Sequence, residues 1–249
     1  MGFEITICET AEEVAALATR YIVEACIRRG DLLLCTATGS TPTLTYEKMV
    51  REQRLQPELF SSLRVIKLDE WVGLPMDHPS TCETYLQAHV LSPLGVTSDR
   101  YTTFDSTATS PERECERVAA ALAAAGPIDI ALLGLGVNGH LGLNEPSDHF
   151  QCQPHVATLA PETAQHSMLT SHSASSQVKF GLTLGMQNIR DARHVLLLVT
   201  GESKSEALAK MMACNLDDPN VPASALRGHT NAHCICDRQA ASRLGPIAS

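Results

Sequence analysis

Two rhythms of hydrophobic residues alternate along the chain. Short apolar runs, such as Leu32-Leu33-Leu34-Cys35 and Val195-Leu196-Leu197-Leu198-Val199, lack polar alternation and read as strands buried on both faces. Between them apolar residues recur every three or four positions, as one face of a helix requires. Segment 3–7 alternates apolar and polar residues like an edge strand, and Ala11–Arg28 follows as a helix stopped at Gly30. A strand at 31–36 ends in Thr38-Gly39-Ser40-Thr41-Pro42, where Pro42 suits the first turn of a second helix and Ser40 or Thr41 its cap. The order repeats with a strand at 64–68, a helix at 81–90, and a helix capped by Ser110 with Pro111 at its start and Gly126 at its end. Strands at 128–133, 156–159, 179–184, 194–200 and 233–236 then accompany helices that start at Pro161 and span 202–214.

Strands alternating with helices predict an α/β fold, with a mostly parallel sheet, helices on both faces and right-handed crossovers. No repeat or compositional break divides the chain, so one domain over residues 1–249 is expected. Segments 171–176 and 215–222 are both expected to be mobile loops.

Composition narrows the classes. A net charge of −9 with 19 Lys plus Arg and no basic run argues against a nucleic-acid surface, which needs clustered cations to neutralise phosphates. The apolar runs are too short to span a bilayer and the N-terminus is acidic, so a cytoplasmic location without membrane contact is expected. Nine cysteines are an odd number without a Cys-x-x-Cys pair, which favours reduced, buried thiols over a disulfide framework. Cys234 and Cys236 would share one face of the last strand. His149, Cys152 and His155 have ligand-type side chains, but Pro154 interrupts them, and no metal is expected there.

Four strand ends carry candidate chemistry. The stretch Ile128-Asp129-Ile130-Ala131-Leu132-Leu133 runs into a glycine-broken turn that releases Asn138, His140 and Glu145 together. A histidine titrates near neutrality and can move a proton once a neighbour fixes its tautomer. Leu68-Asp69-Glu70-Trp71 ends another strand. Adjacent carboxylates on extended backbone point to opposite sides, so at most one faces a given crevice, where it could act as a general base. Gly39, Ser40 and Thr41 sit at a helix start, where unpaired N–H groups and hydroxyls suit an oxyanion. The spacing fits neither a nucleotide P-loop nor a dinucleotide fingerprint, so neither ATP nor NAD is inferred. Lys204, one turn into the helix after Thr200-Gly201, would complete that anion site.

These four segments, in this order, resemble the glucosamine-6-phosphate deaminase/isomerase family, which also holds the 6-phosphogluconolactonases. The resemblance extends from about residue 11 to residue 237 and implies a three-layer, modified Rossmann-like fold. The segments Thr81-Cys82-Glu83-Thr84-Tyr85-Leu86, Gly134-Leu135-Gly136-Val137-Asn138-Gly139-His140 with Asn144-Glu145-Pro146, and Val221-Pro222-Ala223-Ser224 look most like the galactosamine-6-phosphate isomerase branch. Lactonases usually follow Gly-His with Ser-Leu-Phe-Pro. The resemblance implies deamination and isomerisation of a 2-amino-2-deoxyhexose 6-phosphate to a ketohexose 6-phosphate in amino sugar catabolism, galactosamine 6-phosphate being preferred over its epimer. It assigns ring opening to His140 supported by Glu145, the base over carbon 2 to Asp69, and the phosphate to Ser40, Thr41 and Lys204. Acid and base steps suffice, so no cofactor is expected.

Three departures qualify the carry-over. Asn138 stands where many relatives have Asp, and an amide can orient His140 but cannot accept a proton as a base. A phosphate-binding Arg of the family falls at Met168 or Leu169, leaving Lys179 or His166 to take its part. The basic residues that bind an N-acetylated activator fall near His155 and Ala157, which argues against that regulation. Lactone hydrolysis, a hydrolase activity on the same scaffold, and a sugar-phosphate-sensing domain are the alternative functions. His229 and the 171–176 loop are candidates for reading the epimer. Relatives occur as monomers and hexamers, so a homo-oligomer stays open.

Overall fold

The computed structural model describes residues 2–171 and 178–245. Its larger sheet has seven strands, all paired in parallel. In chain order they are β1 (Phe3–Cys8), β2 (Leu33–Thr36), β3 (Arg64–Lys67), β5 (Tyr101–Thr102), β6 (Ile130–Gly134), β9 (His194–Val199) and β10 (Ala232–Asp237). Across the sheet the order is β1-β10-β9-β6-β2-β3-β5. A second, antiparallel sheet joins β4 (Asp69–Trp71), β8 (Phe180–Thr183) and β7 (His155–Thr158) in the order β4-β8-β7. The sequence reading missed this sheet because the strand expected at 64–68 stops at Leu68, and β4, only three residues long, starts at the next position.

Helices α1 (Ala11–Arg28), α2 (Ser40–Leu55), α3 (Cys82–Leu86) and α4 (Ser92–Leu94) precede α5 (Pro111–Ala125). The short α6 (Pro161–Ala164), α7 (Ser167–Thr170) and α8 (Met186–Arg190) lead to α9 (Ser205–Ala213). Local chemistry sets their ends. Thr10 caps α1 by accepting from Glu13 N–H, and Ser110 caps α5 with Pro111 at its first position. The expected helix at 81–90 is present with a change of pitch: α3 passes at Gln87 into a wider π turn ending at Leu91, and α4 follows without a break. Segment 215–222 forms turns leading into a 3₁₀ segment, and of the expected loop at 171–176 only Ser171 is among the described residues.

The lack of alternation in the strands has a direct cause. Alternate residues of each central strand feed two cores, one on either face of the sheet. Cys35, Leu133, Leu197, Cys234 and Cys236 lie in the core on the α5, α8 and α9 side, whereas Leu34, Leu132, Leu198 and Ile235 lie in the core against α1 and α2. Cys234 and Cys236 thus share a face as their spacing required. The polar Asp129, just before β6, accepts from Leu33 N–H at 2.8 Å and pairs with Arg29 and Arg193, fastening β2 to β6 at their N-terminal ends. No helix among the described residues is long and apolar enough to cross a membrane.

From β2 the chain winds outward to β3 and β5, then returns to β6 and winds the other way through β9 and β10. The direction reverses between β2 and β6. Loops leaving the C-terminal ends of these two strands diverge there and open a crevice, the usual ligand position in sheets of this kind.

Candidate active site

The four sequence-singled segments leave the C-terminal ends of β9, β6, β2 and β3, which are consecutive in the sheet. Neighbouring strand ends place their loops on one rim, and Gly39, Ser40, Thr41, Asp69, His140 and Lys204 line a single cleft there. Asn138 and Glu145 do not line it. Both bond to His140, Asn138 through the backbone N–H and Glu145 through the ring.

One part of the cleft has the features of an anion site. Gly39 is the N-cap of α2, with φ 101°, a left-handed conformation that favours glycine. This corrects the expectation that Ser40 or Thr41 caps the helix: Ser40 is its first residue, and no side chain caps it. The first N–H groups of a helix have no intrahelical acceptor and carry partial positive charge, so they are left to face the cleft. Tyr85 Oη and Thr43 Oγ1 both donate to the Gly39 carbonyl, at 2.9 Å each, and turn it away from that role. Lys204 has no carboxylate within 4 Å among the described residues, and burial pushes its ammonium below the usual lysine range.

Asp69 lines the same cleft. Residue alternation along β4 sends Asp69 and Trp71 into the cleft and Glu70 to the other side, as adjacent carboxylates on an extended chain require. Glu70 is wholly buried, where Lys67 Nζ donates to it at 2.7 Å and also to Glu83 at 3.0 Å. Cys82 N–H and Glu83 N–H at the start of α3 donate to the same Glu70 carboxylate. Burial, reinforced by the Glu70 charge, raises the Asp69 carboxyl to about 6, against smaller opposing effects of the Cys82 thiol, His140 and Lys67. Cys82 Sγ, 3.6 Å from Asp69 Oδ1 and 3.3 Å from Thr38 Oγ1, links Asp69 to the loop after β2.

The loop after β6 lines the cleft as well, through Gly136, Val137, His140 and Gly142. A Cβ built at Gly142 would stand 3.3 Å from Asp69 Oδ2, which measures how closely this loop packs on the carboxylate. His140 Nδ1 lies 3.3 Å from Glu145 Oε2 and 3.3 Å from Thr163 Oγ1. With a carboxylate acceptor at Nδ1, that nitrogen carries the hydrogen and Nε2 is the basic one. Burial pushes Glu145 upward, but the His140 hydrogen bond and charge, with Thr163 and Asn138, outweigh it and hold the carboxyl below its ordinary value. Asn138 uses both ends of its amide: Nδ2 donates to Glu145 Oε2 at 2.9 Å and Oδ1 accepts from His140 N–H at 3.1 Å. An ionised Asp there would set a second negative charge against Glu145, so the amide suits this arrangement.

Gly136 makes room for the ring. A Cβ at that position would overlap the His140 imidazole. The Gly136→Ala variant is therefore expected to displace His140 and lower kcat/KM by about 10–100-fold, with thermal stability reduced far less, as steady-state rates and a melting curve would establish.

Several expectations resolve on this geometry. Of the two groups expected to take the part of the missing cation, His166 lines the cleft and Lys179, exposed, does not. Leu169 is fully buried and packs with Trp71 and Leu143, while Met168 lies against that cluster, so neither position offers a charge. His229 is corrected as a specificity candidate. Its Nε2 meets the Ala192 carbonyl at 2.9 Å and its Nδ1 accepts from Asn231 N–H, just before β10 begins, at the end of the sheet away from the cleft. Among the described residues no group of three or more His, Cys, Asp or Glu could hold a metal ion. Sequence reasoning did not find Lys67, Cys82, Glu83, Tyr85 or Thr163 as supports of the site. Only the 81–86 segment carried a signal, and it did not show that α3 braces both the loop after β2 and Asp69.

Residues 8–235 match the family model described as glucosamine-6-phosphate isomerases/6-phosphogluconolactonase. The AgaI protein of Escherichia coli (strain K12), which bears a deaminase name, is 43% identical over 218 residues, covering 88% of this chain and 85% of its own. Glucosamine-6-phosphate deaminase 1 of Bacillus subtilis (strain 168) is 34% identical over 94% of this chain and 97% of its own. The solved structure of a monomeric glucosamine-6-phosphate deaminase superimposes with a TM-score of 0.92 at 33% identity, covering 97% of this chain and all of the other. A 6-phosphogluconolactonase from Trypanosoma cruzi shares the fold, with a TM-score of 0.79 at 21% identity over 98% of each chain.

Proposed function

Because the chain belongs to the glucosamine-6-phosphate isomerase/6-phosphogluconolactonase family, we propose that it is an amino-sugar-6-phosphate deaminase. It converts a 2-amino-2-deoxyhexose 6-phosphate and water to a ketohexose 6-phosphate and ammonia. The observation that carries this reading is one cleft at the sheet's switch point, lined by an anion cradle, a raised carboxylate and an oriented imidazole.

The phosphate sits against the N–H groups and hydroxyls of Ser40 and Thr41 and the ammonium of Lys204. His140 Nε2 takes the proton of the anomeric hydroxyl and returns it to the ring oxygen, opening the pyranose. Asp69 removes the proton from carbon 2 and delivers it to carbon 1, while the carbon-1 oxygen gains a proton and the amine gives one up, which converts the 2-amino aldehyde to a 1-hydroxy carbon-2 imine. Water adds to that imine, and ammonia leaves as the ketone forms. The phosphate grip holds carbons 1 and 2 against Asp69, so remote binding energy is used to orient the reacting atoms. Galactosamine 6-phosphate is the preferred epimer, a choice supported by the 81–86 and 134–146 segments. Amino sugar breakdown is the proposed setting, a reading supported by the release of ammonia and a ketose phosphate.

The test offers both amino-sugar phosphates and measures released ammonia. Stoichiometric ammonia and ketohexose 6-phosphate support the proposal, and hydrolysis of 6-phosphogluconolactone without ammonia release overturns it. The base must be ionised to act, and burial places Asp69 at about 6. The acid limb of kcat/KM is therefore expected to bend near pH 6 and to fall about tenfold per unit below it, well above the range of a solvated aspartate.

A further inference from the structure

A phosphate monoester entering this cleft brings close to two negative charges. Among the described residues that line the cradle, Lys204 is the one permanent cation. His166 lines the same cleft, and its ring has three neighbours. Met168 N–H donates to Nδ1 at 3.3 Å, the Trp71 ring lies 6.1 Å away between centroids, and the opposite edge faces the Gly39 turn. A Cβ built at Gly39 would stand 3.5 Å from Nε2 and 3.6 Å from Cε1, so this edge borders the cradle itself.

The first contact settles the tautomer. Because Nδ1 accepts a hydrogen bond, a neutral ring carries its hydrogen on Nε2, the nitrogen beside the cradle. No acceptor for that N–H and no carboxylate partner for the ring exists among the described residues. The charged and titratable groups sharing the cleft with it are Lys204, His140 and Asp69, with Glu162 exposed at the rim.

We propose that His166 is a phosphate-binding residue, which donates Nε2–H to the 6-phosphate and takes up a proton as the phosphate binds. The proposal rests on the reading of the cleft as a sugar-phosphate site. Burial, helped by the Lys204 and His140 charges, holds the ring below its ordinary value and so favours the neutral form in the empty cleft. An arriving anion reverses the balance, because it favours the charged ring. The proton comes from solvent, and binding then strengthens as pH falls from 8 toward about 6.5, until the phosphate itself begins to protonate near pH 6.

The experiment compares wild type with His166→Ala and His166→Gln, using inorganic phosphate and fructose 6-phosphate as probes. Titration calorimetry in buffers of different ionisation enthalpy reads proton uptake directly. Wild type is expected to take up a fraction of a proton per fructose 6-phosphate at pH 7.5, where the ester is almost wholly dianionic, and both variants are expected to lose that uptake. Loss of a charge-assisted hydrogen bond should raise KM about tenfold in His166→Ala with kcat changed less than about threefold. Gln keeps a neutral donor and should recover part of the affinity but none of the uptake. Nitrogen NMR of the wild-type ring supplies a readout that needs no variant: Nε2–H in the empty cleft, moving toward the doubly protonated form with inorganic phosphate. Unchanged KM in His166→Ala, uptake persisting in the variants, or ring resonances unmoved by phosphate would each overturn the proposal. Ammonia release with normal KM in His166→Ala would reject it and leave the deaminase reading intact. Phosphate binding that depends on His166, without ammonia release, would do the reverse.

Discussion

Replacing Asp69 by Asn is expected to slow turnover by about 10²–10⁴-fold, the range of a lost general base, while the protein unfolds at a higher temperature. Both effects come from one feature, the burial that raises the carboxyl from 3.8 to about 6. A carboxyl raised by folding binds protons more tightly in the folded chain. Its stabilising contribution is complete below pH 3.8 and is lost as pH rises through about 6, so at neutral pH the ionised group is a net cost. At about 1.4 kcal/mol per pH unit that cost is about 3 kcal/mol at most. Asn never ionises and can still accept from the Cys82 thiol. A gain of about 1–3 kcal/mol corresponds to several degrees in Tm for a chain of this size. KM should stay within a few-fold, because the phosphate contacts do not involve residue 69. Scanning calorimetry and steady-state kinetics on one preparation would check both halves, and normal turnover would remove Asp69 from the mechanism.

The Lys67→Met variant is expected to lose about 3–5 kcal/mol of stability, since removing one partner of a buried ion pair leaves uncompensated charge. Here two carboxylates lose their cation. Lys67 is fully buried between Glu70 and Glu83, and Tyr101 Oη and Thr103 Oγ1 add their hydrogen bonds to Glu83. Burial works against the ammonium, but the two carboxylates outweigh it and hold Lys67 above its ordinary value. Urea unfolding monitored by circular dichroism would measure the loss. Adding Glu70→Gln and Glu83→Gln to Lys67→Met should recover part of it, because the stranded charges are then gone. The single variant has a second signature. Lys67 holds Asp69 down, so in any fraction that stays folded the acid limb of the rate profile should move to higher pH.

The sequence carried the fold's central part because buried parallel strands leave a strong mark. Apolar runs at β2, β6 and β9 could not have been solvated on either face, and Pro111 and Gly126 bounded α5 without ambiguity. The short antiparallel sheet left almost none. Its strand β4 continues β3 through one residue, and the sharp redirection at Leu68 is a tertiary event, made by pairing with β8 and by Leu184 N–H donating to the Leu68 carbonyl at 2.9 Å. In the site, the opposite facing of Asp69 and Glu70 followed from strand geometry alone. The partner of Glu70 did not, because a lysine in an apolar strand reads as a solvent-facing residue until the third dimension brings two carboxylates to it. Likewise His166 could be named as a candidate but not chosen over Lys179, since both follow the same helix start and only packing against Gly39 separates them.

The most direct test of the account is a crystal structure with a reduced open-chain analogue, a 2-amino-2-deoxyhexitol 6-phosphate. The account predicts the phosphate on Ser40, Thr41 and Lys204, carbons 1 and 2 within contact of the Asp69 carboxylate, and an oxygen of the chain at His140 Nε2. A phosphate bound elsewhere, or a ligand whose first carbons touch neither Asp69 nor His140, would contradict it.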